Sequence, residues 1–170
     1  MAAGTGPIQD AVAMDRVELP YTRDCFVCGQ DNPKGLRARF AHEQDRVVCR
    51  LTPHPEACGF RTVIHGGILS SLLDEAMGWA PAYARRRMCV TGEMSFRFPR
   101  PVKVGMPLVV VGRFAEDKKL FWRCEGTIED DQGQVYVRSK AVYVPMTAEQ
   151  SALIERETLV YPPGTPKLFS

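Results

Sequence analysis

The chain has 170 residues, which is enough for one domain with a hydrophobic core and too few for two. An apolar fraction of 45% is ordinary for a globular protein, and a formal net charge of +2 gives no indication of nucleic-acid binding. The sequence shows neither a secretion signal nor an apolar run of about 20 residues, so we expect a cytoplasmic protein without a membrane span. The six cysteines are then expected to remain thiols.

Turn and strand patterns fill the first part of the chain. Residues 1–20 are rich in alanine and glycine and predict a flexible N-terminal arm. The segment CFVCGQDNPKGL, residues 25–36, is dense in turn formers. Alternating residues then predict two paired strands at 36–40 and 45–52. Prolines and a glycine within 53–59 indicate a loop that leads into a helix.

One helix and four strands are predicted next. The stretch HGGILSSLLDEAMGW, residues 65–79, has helical periodicity. Alternation and turn residues predict strands at 91–102, 107–114, 119–129 and 134–146. A single helix against an antiparallel meander is an α+β plan. We therefore predict a flexible arm, one domain over residues 21–146, and a short C-terminal helix with a tail over residues 147–170.

A helical wheel separates the side chains of the predicted helix into two faces. The apolar half consists of Ile68, Leu69, Leu72, Leu73, Ala76, Met77 and Ala80. The opposite face holds Gly67, Ser70, Ser71, Asp74 and Gly78, all small except the acid. A face of small residues lets another backbone or a ligand approach closely. Asp74 is therefore predicted to lie on a close-approach surface, and Glu75 is predicted at a rim near Trp79.

The start of this helix offers hydrogen-bond donors. The first backbone N–H groups of a helix lack internal partners, and the helix dipole makes that end positive. Gly66 and Gly67 leave these amides accessible, so a carbonyl oxygen that gains negative charge could bind there. Asp74 follows about 10 Å along the axis. A second subunit or a tilted substrate must then complete a site, although a structural histidine and an ordinary glycine loop are alternative interpretations.

Four stretches resemble known motifs. HGGILSSLLDEAMG is similar to the central-helix signature of hot-dog-fold acyl-CoA thioesterases of the PaaI-like branch. CFVCGQDNPKGL resembles an N-terminal signature of many bacterial members. MSFRFPRPVKVGMPL resembles the strand after the helix, and DDQGQVYVRSKAVYV the final hairpin. The likeness runs from about Cys25 to Pro145.

The resemblance implies a hot-dog fold, in which a curved antiparallel sheet wraps one long helix. It implies a homodimer or homotetramer that hydrolyses an acyl-CoA substrate at active sites on the subunit interface. By position, Gly66 would donate its amide to the thioester carbonyl, and His65 would shape the turn or bind the carbonyl. Asp74 would act as nucleophile or general base, and Thr91 would assist it.

The family pattern also bears on substrate binding. Members often carry Gln or Asn just before HGG, whereas Cys58 or Gly59 stands there in this chain. A non-catalytic acyl-CoA binding protein on the same fold therefore remains the alternative to a thioesterase. We place Gly67, Cys58 and Glu75 among the substrate-binding residues. Arg97 and Arg100 join them as contacts for the CoA phosphates.

The pair Cys25-x-x-Cys28 is half of a zinc motif. A structural zinc site needs four ligands, and the sequence contains no second closely spaced pair. A redox motif of this type would normally open a helix, whereas turn residues follow here. We therefore expect no metal and no cofactor.

Overall fold

The computed structural model describes residues 16–169. Ahead of the long helix the strands are β1 (Arg16–Glu18), β2 (Tyr21–Thr22), β3 (Phe40–Glu43), β4 (Arg46–Leu51), β5 (Cys58–Phe60) and β6 (Val63–Ile64). The remaining elements are α1 (Gly66–Arg85), β7 (Cys89–Arg97), β8 (Leu108–Asp117), β9 (Trp122–Glu129), β10 (Val135–Pro145), α2 (Ala148–Thr158) and β11 (Leu159–Val160). The order of the long elements confirms the predicted α+β plan.

The main sheet has the strand order β1-β3-β4-β8-β9-β10-β7, and each neighbouring pair is antiparallel. Register shifts occur in the pairs β10–β7, β10–β9 and β8–β9, and such irregularities bend strands. The helix α1 contacts β4, β7, β8, β9 and β10. One helix is therefore wrapped by most of the sheet, which is the hot-dog arrangement, and β7 forms the last strand at one edge.

The apolar half of the wheel is the face that α1 buries. Leu72, Leu73, Ala76 and Met77 have no exposed surface, because they pack on the sheet. A Cβ atom on Gly112 of β8 would lie 2.2 Å from the carbonyl oxygen of Ala76, so only glycine allows this approach. This close approach fixes the position of α1 along β8 at Ala76 and Met77.

The helix extends beyond the predicted range. It continues through Pro81 to Arg85 and ends where Arg86 adopts a left-handed conformation with φ 52°. The amide of Arg86 then donates to the carbonyl of Ala82, which caps the last turn. The predicted strand at 36–40 begins only at Phe40, because Arg37 has φ 51° and interrupts an extended chain.

Both ends of the described chain pack on the domain. Residues 1–15 of the predicted arm lie outside the described residues. Residues 16–18 pair with β3, and Leu19 is buried, so residues 16–20 belong to the folded domain rather than to a flexible arm.

The predicted C-terminal helix is present as α2, and Thr147 caps it with Gln150 in a capping box. Residues 159–169, which were predicted as a tail, pack on the domain, since β11 pairs with β2 and Leu168 is buried. Within residues 16–169, neither helix is long and apolar enough to span a membrane.

Candidate active site

The start of α1 leaves one backbone donor available. His65 is the N-cap, and its Nδ1 accepts a hydrogen bond from the amide of Gly67 at 2.9 Å. The amides of Ile68 and Leu69 donate to the carbonyl oxygen of His65. Among the described residues no acceptor is recorded for the amide of Gly66. Gly66 is therefore the free donor, whereas the predicted substrate-binding amide of Gly67 is already used by the histidine.

His65 shapes this turn, which is one of its two predicted roles. Its own amide donates to the carbonyl of Ala57 at 2.9 Å, and this bond anchors the helix start to the preceding loop. A Cβ atom on Gly59 would lie 2.8 Å from Cδ2 of His65, so glycine lets β5 pass close to the imidazole. Cys58 is exposed at the start of β5 and pairs with Ile64, so it lies beside the helix start.

Asp74 is held by two hydroxyl groups from the sheet. Thr91 of β7 donates from Oγ1 to Asp74 Oδ1 at 2.8 Å. The phenol of Tyr143 on β10 lies 3.0 Å from the same carboxylate oxygen and 2.8 Å from the Asp74 carbonyl oxygen. Within residues 16–169 no partner is recorded for Asp74 Oδ2. The carboxylate is therefore oriented through one oxygen, and its other oxygen remains available.

Tyr143 was not predicted as a site residue. It is 2% exposed, and burial together with the neighbouring Asp74 carboxylate raises its pKa above the ordinary value. The phenol therefore stays protonated and acts as a donor. Its ring packs on α1 at Gly78, where a Cβ atom would lie 3.4 Å from Tyr143 Cε1. The inward alternation of Val137, Ser139 and Ala141 along β10 is the sequence signal that could have identified it.

A shallow cavity of about 140 Å³ opens beside this carboxylate. Its lining consists of Asp74, Glu75, Gly78, Trp79, Ala82, Met88, Cys89, Thr91 and Tyr143. A cavity of this size is smaller than the clefts that enclose drug-sized ligands, which hold roughly 300–1,000 Å³. This cavity alone therefore cannot enclose a ligand of that size.

Glu75 has different surroundings from Asp74. Its Oε1 accepts a hydrogen bond from Trp79 Nε1 at 3.2 Å, and its Oε2 lies 3.9 Å from Cys25 Sγ. Burial, followed by the nearby charge of Cys25, raises the pKa of the Glu75 carboxyl to about 7. Glu75 thus lies beside Trp79, as predicted, and borders the cavity while Cys25 of the N-terminal loop packs against its carboxylate.

The remaining predicted residues do not meet in one chain. The amide of Gly66 and the carboxylate of Asp74 are eight residues apart along α1, or about 12 Å. Arg97 borders a separate groove of about 540 Å³ on the sheet together with Arg46, Arg113 and Arg138. Arg100 donates to the carbonyl of Val135 at 3.0 Å. Neither arginine lines the cavity beside Asp74.

Comparison with known proteins finds a family to which part of the chain is similar. Residues 62–136, which include Gly66, Asp74 and Thr91, match the family model described as the thioesterase superfamily. The bovine acyl-coenzyme A thioesterase THEM4 is 24% identical over 113 residues, a match that covers 65% of this chain and 46% of that protein. The chain therefore spans about half the length of this curated relative.

Solved structures share the fold. A thioesterase superfamily protein is 26% identical with a TM-score of 0.68, covering 72% of this chain and 60% of the other. The PaaI protein of the Escherichia coli phenylacetic acid degradation operon is 18% identical with a TM-score of 0.60, covering 66% and 81%. A Streptococcus pneumoniae TIGR4 thioesterase solved with coenzyme A is 16% identical with a TM-score of 0.59, covering 64% and 85%. The chain thus has the hot-dog fold, and its residues 62–136 are similar to the thioesterase superfamily.

Proposed function

We propose that the protein is an acyl-CoA thioesterase, which hydrolyses a thioester to a free carboxylic acid and CoA. The observation that carries this proposal is the oriented carboxylate of Asp74, held by Thr91 and Tyr143 on the small-residue face of α1. The same helix begins with the free amide of Gly66. A general base and an oxyanion donor are the two groups that thioester hydrolysis by water requires.

A second copy of the chain would bring these two groups together. β7 (Cys89–Arg97) is an edge strand of nine residues, and pairing of a second strand with such an edge satisfies its unpaired backbone groups. Val90 on this strand and Val144 beside it are 49% and 43% exposed, which suits burial at an interface. In the proposed homodimer, Asp74 of one subunit faces Gly66 of the other across the paired edges. Two such dimers can associate into a homotetramer.

The amide of Gly66 would stabilise the oxyanion. When water adds to the thioester carbonyl, negative charge develops on the oxygen, and the positive end of the α1 dipole lies at that position. The neighbouring ring of Phe98 lies within 3.7 Å of the place where a Gly66 Cβ would be. This ring is 48% exposed, so it offers an apolar surface beside the amide that a bound acyl group could cover.

Asp74 would supply the base or the nucleophile. As a base, its carboxylate removes a proton from water while the water oxygen bonds to the carbonyl carbon; the C–S bond then breaks, and the CoA sulfur takes a proton. As a nucleophile, the carboxylate forms a mixed anhydride that water hydrolyses. Thr91 and Tyr143 hold Oδ1 in both cases, so Oδ2 faces the reacting group. Both routes remain part of the proposal.

The substrate is proposed to be a CoA thioester. A relative from Streptococcus pneumoniae was solved with coenzyme A, and the curated bovine relative is named an acyl-coenzyme A thioesterase. Arg97 is the last residue of β7, and Arg100 follows it in the chain. We propose that these two cationic side chains contact the CoA phosphates. We further propose that the protein acts in the cytoplasm.

An acyl-CoA binding protein without turnover is the second candidate. The observation that favours it is the thiol of Cys58, exposed beside the helix start, where the family resemblance leads us to expect an amide side chain. A thiol is a weak hydrogen-bond donor, and it positions water poorly compared with an amide. Such a protein would retain the fold and the CoA contacts and lack hydrolysis.

The deciding experiment measures CoA release from aryl, short-chain and long-chain acyl-CoAs. Asp74→Asn preserves the shape and the hydroxyl contacts of Asp74 and removes the base, so we expect kcat to fall roughly 10²–10⁴-fold. Asp131→Asn is the matched control, because Asp131 is exposed in the turn after β9. Equal turnover in Asp74→Asn and the wild type would refute the role of Asp74. Binding of acyl-CoA without turnover by the folded wild type would favour the second candidate.

A further inference from the structure

Three metal-ligating side chains meet where the N-terminal loop covers α1. Cys25 and Cys28 lie in the loop, and Glu75 lies near the middle of the helix, 50 residues after Cys25. Their two sulfurs and one carboxylate oxygen all lie within 4.8 Å of one another. The Cys25 Sγ and Glu75 Oε2 atoms are 3.9 Å apart. This group, the Cys25–Cys28–Glu75 cluster, has no part in the proposed hydrolysis.

The loop presents its sulfurs in a defined geometry. The amide of Val27 donates to Cys25 Sγ at 3.3 Å, and the amide of Gly29 donates to the carbonyl oxygen of Cys25 at 3.0 Å. A Cβ atom on Gly29 would lie 2.4 Å from the carbonyl oxygen of Cys25, so the turn requires glycine. Backbone donors to a cysteine sulfur favour its thiolate form, which is the form that binds metals.

The helix presents its carboxylate in an equally defined way. Trp79, one turn after Glu75, donates from Nε1 to Glu75 Oε1 at 3.2 Å. This bond leaves Oε2 as the oxygen that faces the two sulfurs. Metal-ligating carboxylates are typically held by such an outer hydrogen bond, which fixes their orientation.

The distances agree with tetrahedral zinc coordination. Zn–S bonds of about 2.3 Å and Zn–O bonds of about 2.1 Å place two sulfurs about 3.8 Å apart and a sulfur and an oxygen about 3.6 Å apart. The separation of 3.9 Å between Cys25 Sγ and Glu75 Oε2 is close to the second value. The other separations, at most 4.8 Å, need only small side-chain rotations.

Charge also favours a cation at this point. Two thiolates and a carboxylate that are partly or fully buried together would repel one another, and each would lose hydration. A divalent cation compensates most of this charge. Thiolate ligands exclude the hard ions Mg²⁺ and Ca²⁺, whereas zinc binds sulfur and carboxylate oxygen together.

We infer that Cys25, Cys28 and Glu75 form a zinc-binding site with three protein ligands and a fourth position for water. This reverses the expectation from the sequence, which found only half of a zinc motif. The fold supplies a third ligand, the Glu75 carboxylate, in place of a second cysteine pair, and water takes the fourth position. The zinc ion fastens the N-terminal loop to α1 one residue from Asp74, and it does not contact the thioester.

The test measures zinc binding by the full chain under reducing conditions. Protein that has been stripped with a chelator and dialysed is titrated with Zn²⁺, and we expect one ion per chain by elemental analysis. Cys25→Ser, Cys28→Ser and Glu75→Gln should each weaken binding by at least roughly 100-fold, because loss of a direct ligand exceeds the 10–100-fold effect of an outer contact. Trp79→Phe, which removes only the outer contact, should weaken it about tenfold or more.

Two control variants and one spectroscopic probe keep the result decisive. Cys58→Ser and Cys124→Ser remove one exposed and one buried thiol outside the cluster, and both should retain one zinc per chain. Cobalt(II) bound to the wild type should show a thiolate charge-transfer band and the strong visible bands of tetrahedral coordination, a readout that needs no variant to fold. Absence of these bands, no zinc in the reduced wild type, or unchanged affinity in Cys25→Ser and Glu75→Gln would overturn the inference. Because the readout is metal binding, it is independent of the proposed hydrolysis.

Discussion

Two acids that are neighbours in the sequence have unlike surroundings in the fold. Asp74 is held by the hydroxyl groups of Thr91 and Tyr143 beside an open cavity. Glu75 is held by the indole of Trp79 and lies against the thiol of Cys25 beneath the N-terminal loop. One helical step of 100° separates the two side chains, so adjacent carboxylates of α1 face different parts of the molecule.

The contrast shows that partners, rather than residue type, set the chemistry of an acid. The hydroxyl groups of Thr91 and Tyr143 orient the Asp74 carboxylate through Oδ1 and leave Oδ2 available to a reacting group. Burial raises the pKa of Glu75 to about 7, so at neutral pH this carboxyl is partly protonated unless a nearby cation favours the carboxylate form. We therefore propose that Asp74 takes part in thioester hydrolysis and that Glu75 attaches the N-terminal loop to α1 through zinc.

At the helix start, Gly66→Pro is expected to cause a large loss of turnover, second only to that of Asp74→Asn. Gly66→Pro removes the amide proposed to bind the oxyanion, and proline is well tolerated at the first helical position. His65 already has φ −61° and ψ 131°, the conformation preferred before proline. We expect kcat to fall roughly 10²–10³-fold with little change in melting temperature. Gly66→Ala is the matched control, since it keeps the N–H and its Cβ would lie 3.7 Å from Phe98.

Mixed subunits sharpen this prediction, because the proposed site takes Gly66 from one chain and Asp74 from the other. Neither Gly66→Pro nor Asp74→Asn should turn over substrate at a high rate alone. After dissociation and reassembly of an equal mixture, half of the dimers are mixed and each holds one intact site, so roughly a quarter of the wild-type activity should return. No recovery, from subunits shown to exchange, would contradict the shared site.

Removal of the metal tests the separate roles proposed for Asp74 and Glu75. If zinc at about 100 times its Kd stabilises the fold by about 2.7 kcal/mol, its removal should lower the melting temperature by roughly 5–11 °C. Turnover measured well below both melting temperatures should be largely retained, because the ion contacts neither the thioester nor the Asp74 carboxylate. The measurement pairs thermal unfolding with CoA release, with and without chelator. Loss of turnover without loss of stability would place the metal in the chemistry instead.

The sequence predicts the helix better than it predicts the site around the helix. Periodicity identifies the buried face because Leu72, Leu73 and Met77 recur at helical spacing, and the same wheel places Asp74 on the small-residue face. Such local patterns depend only on the geometry of one element. The resemblance to a family adds Thr91, which the structure places 2.8 Å from Asp74.

Contacts between distant segments are the part that the sequence does not predict. Tyr143 reaches Asp74 from 69 residues away; alternation along β10 indicates that Tyr143 points inward, but not which residue of α1 it meets. Cys25 meets Glu75 across 50 residues, because the loop folds back over α1. In the C-terminal segment, Glu155 accepts the amide of Leu168 at 2.9 Å, and this pairing turns a predicted tail into packed structure.

The smallest expected effect concerns the two hydroxyl groups that orient Asp74. Thr91→Val and Tyr143→Phe each remove one donor to a charged acceptor and preserve the size of the side chain, so each should cost roughly 1.5–3 kcal/mol of transition-state stabilisation, or roughly a 10- to 150-fold fall in kcat. Thr91→Ser retains a hydroxyl and should keep most of the activity. Kinetics of CoA release, with KM measured alongside kcat, provide the readout.

The double variant decides whether these hydroxyls act on one group. Because both donate to Asp74 Oδ1, loss of the first lets the carboxylate rotate, and loss of the second should then cost less than it does alone. In the Asp74→Asn background, neither substitution should lower the residual rate much further, since the base that they position is absent. Fully additive losses, or equal losses with and without Asp74, would show that Thr91 and Tyr143 act on the substrate or on the fold and not through this carboxylate.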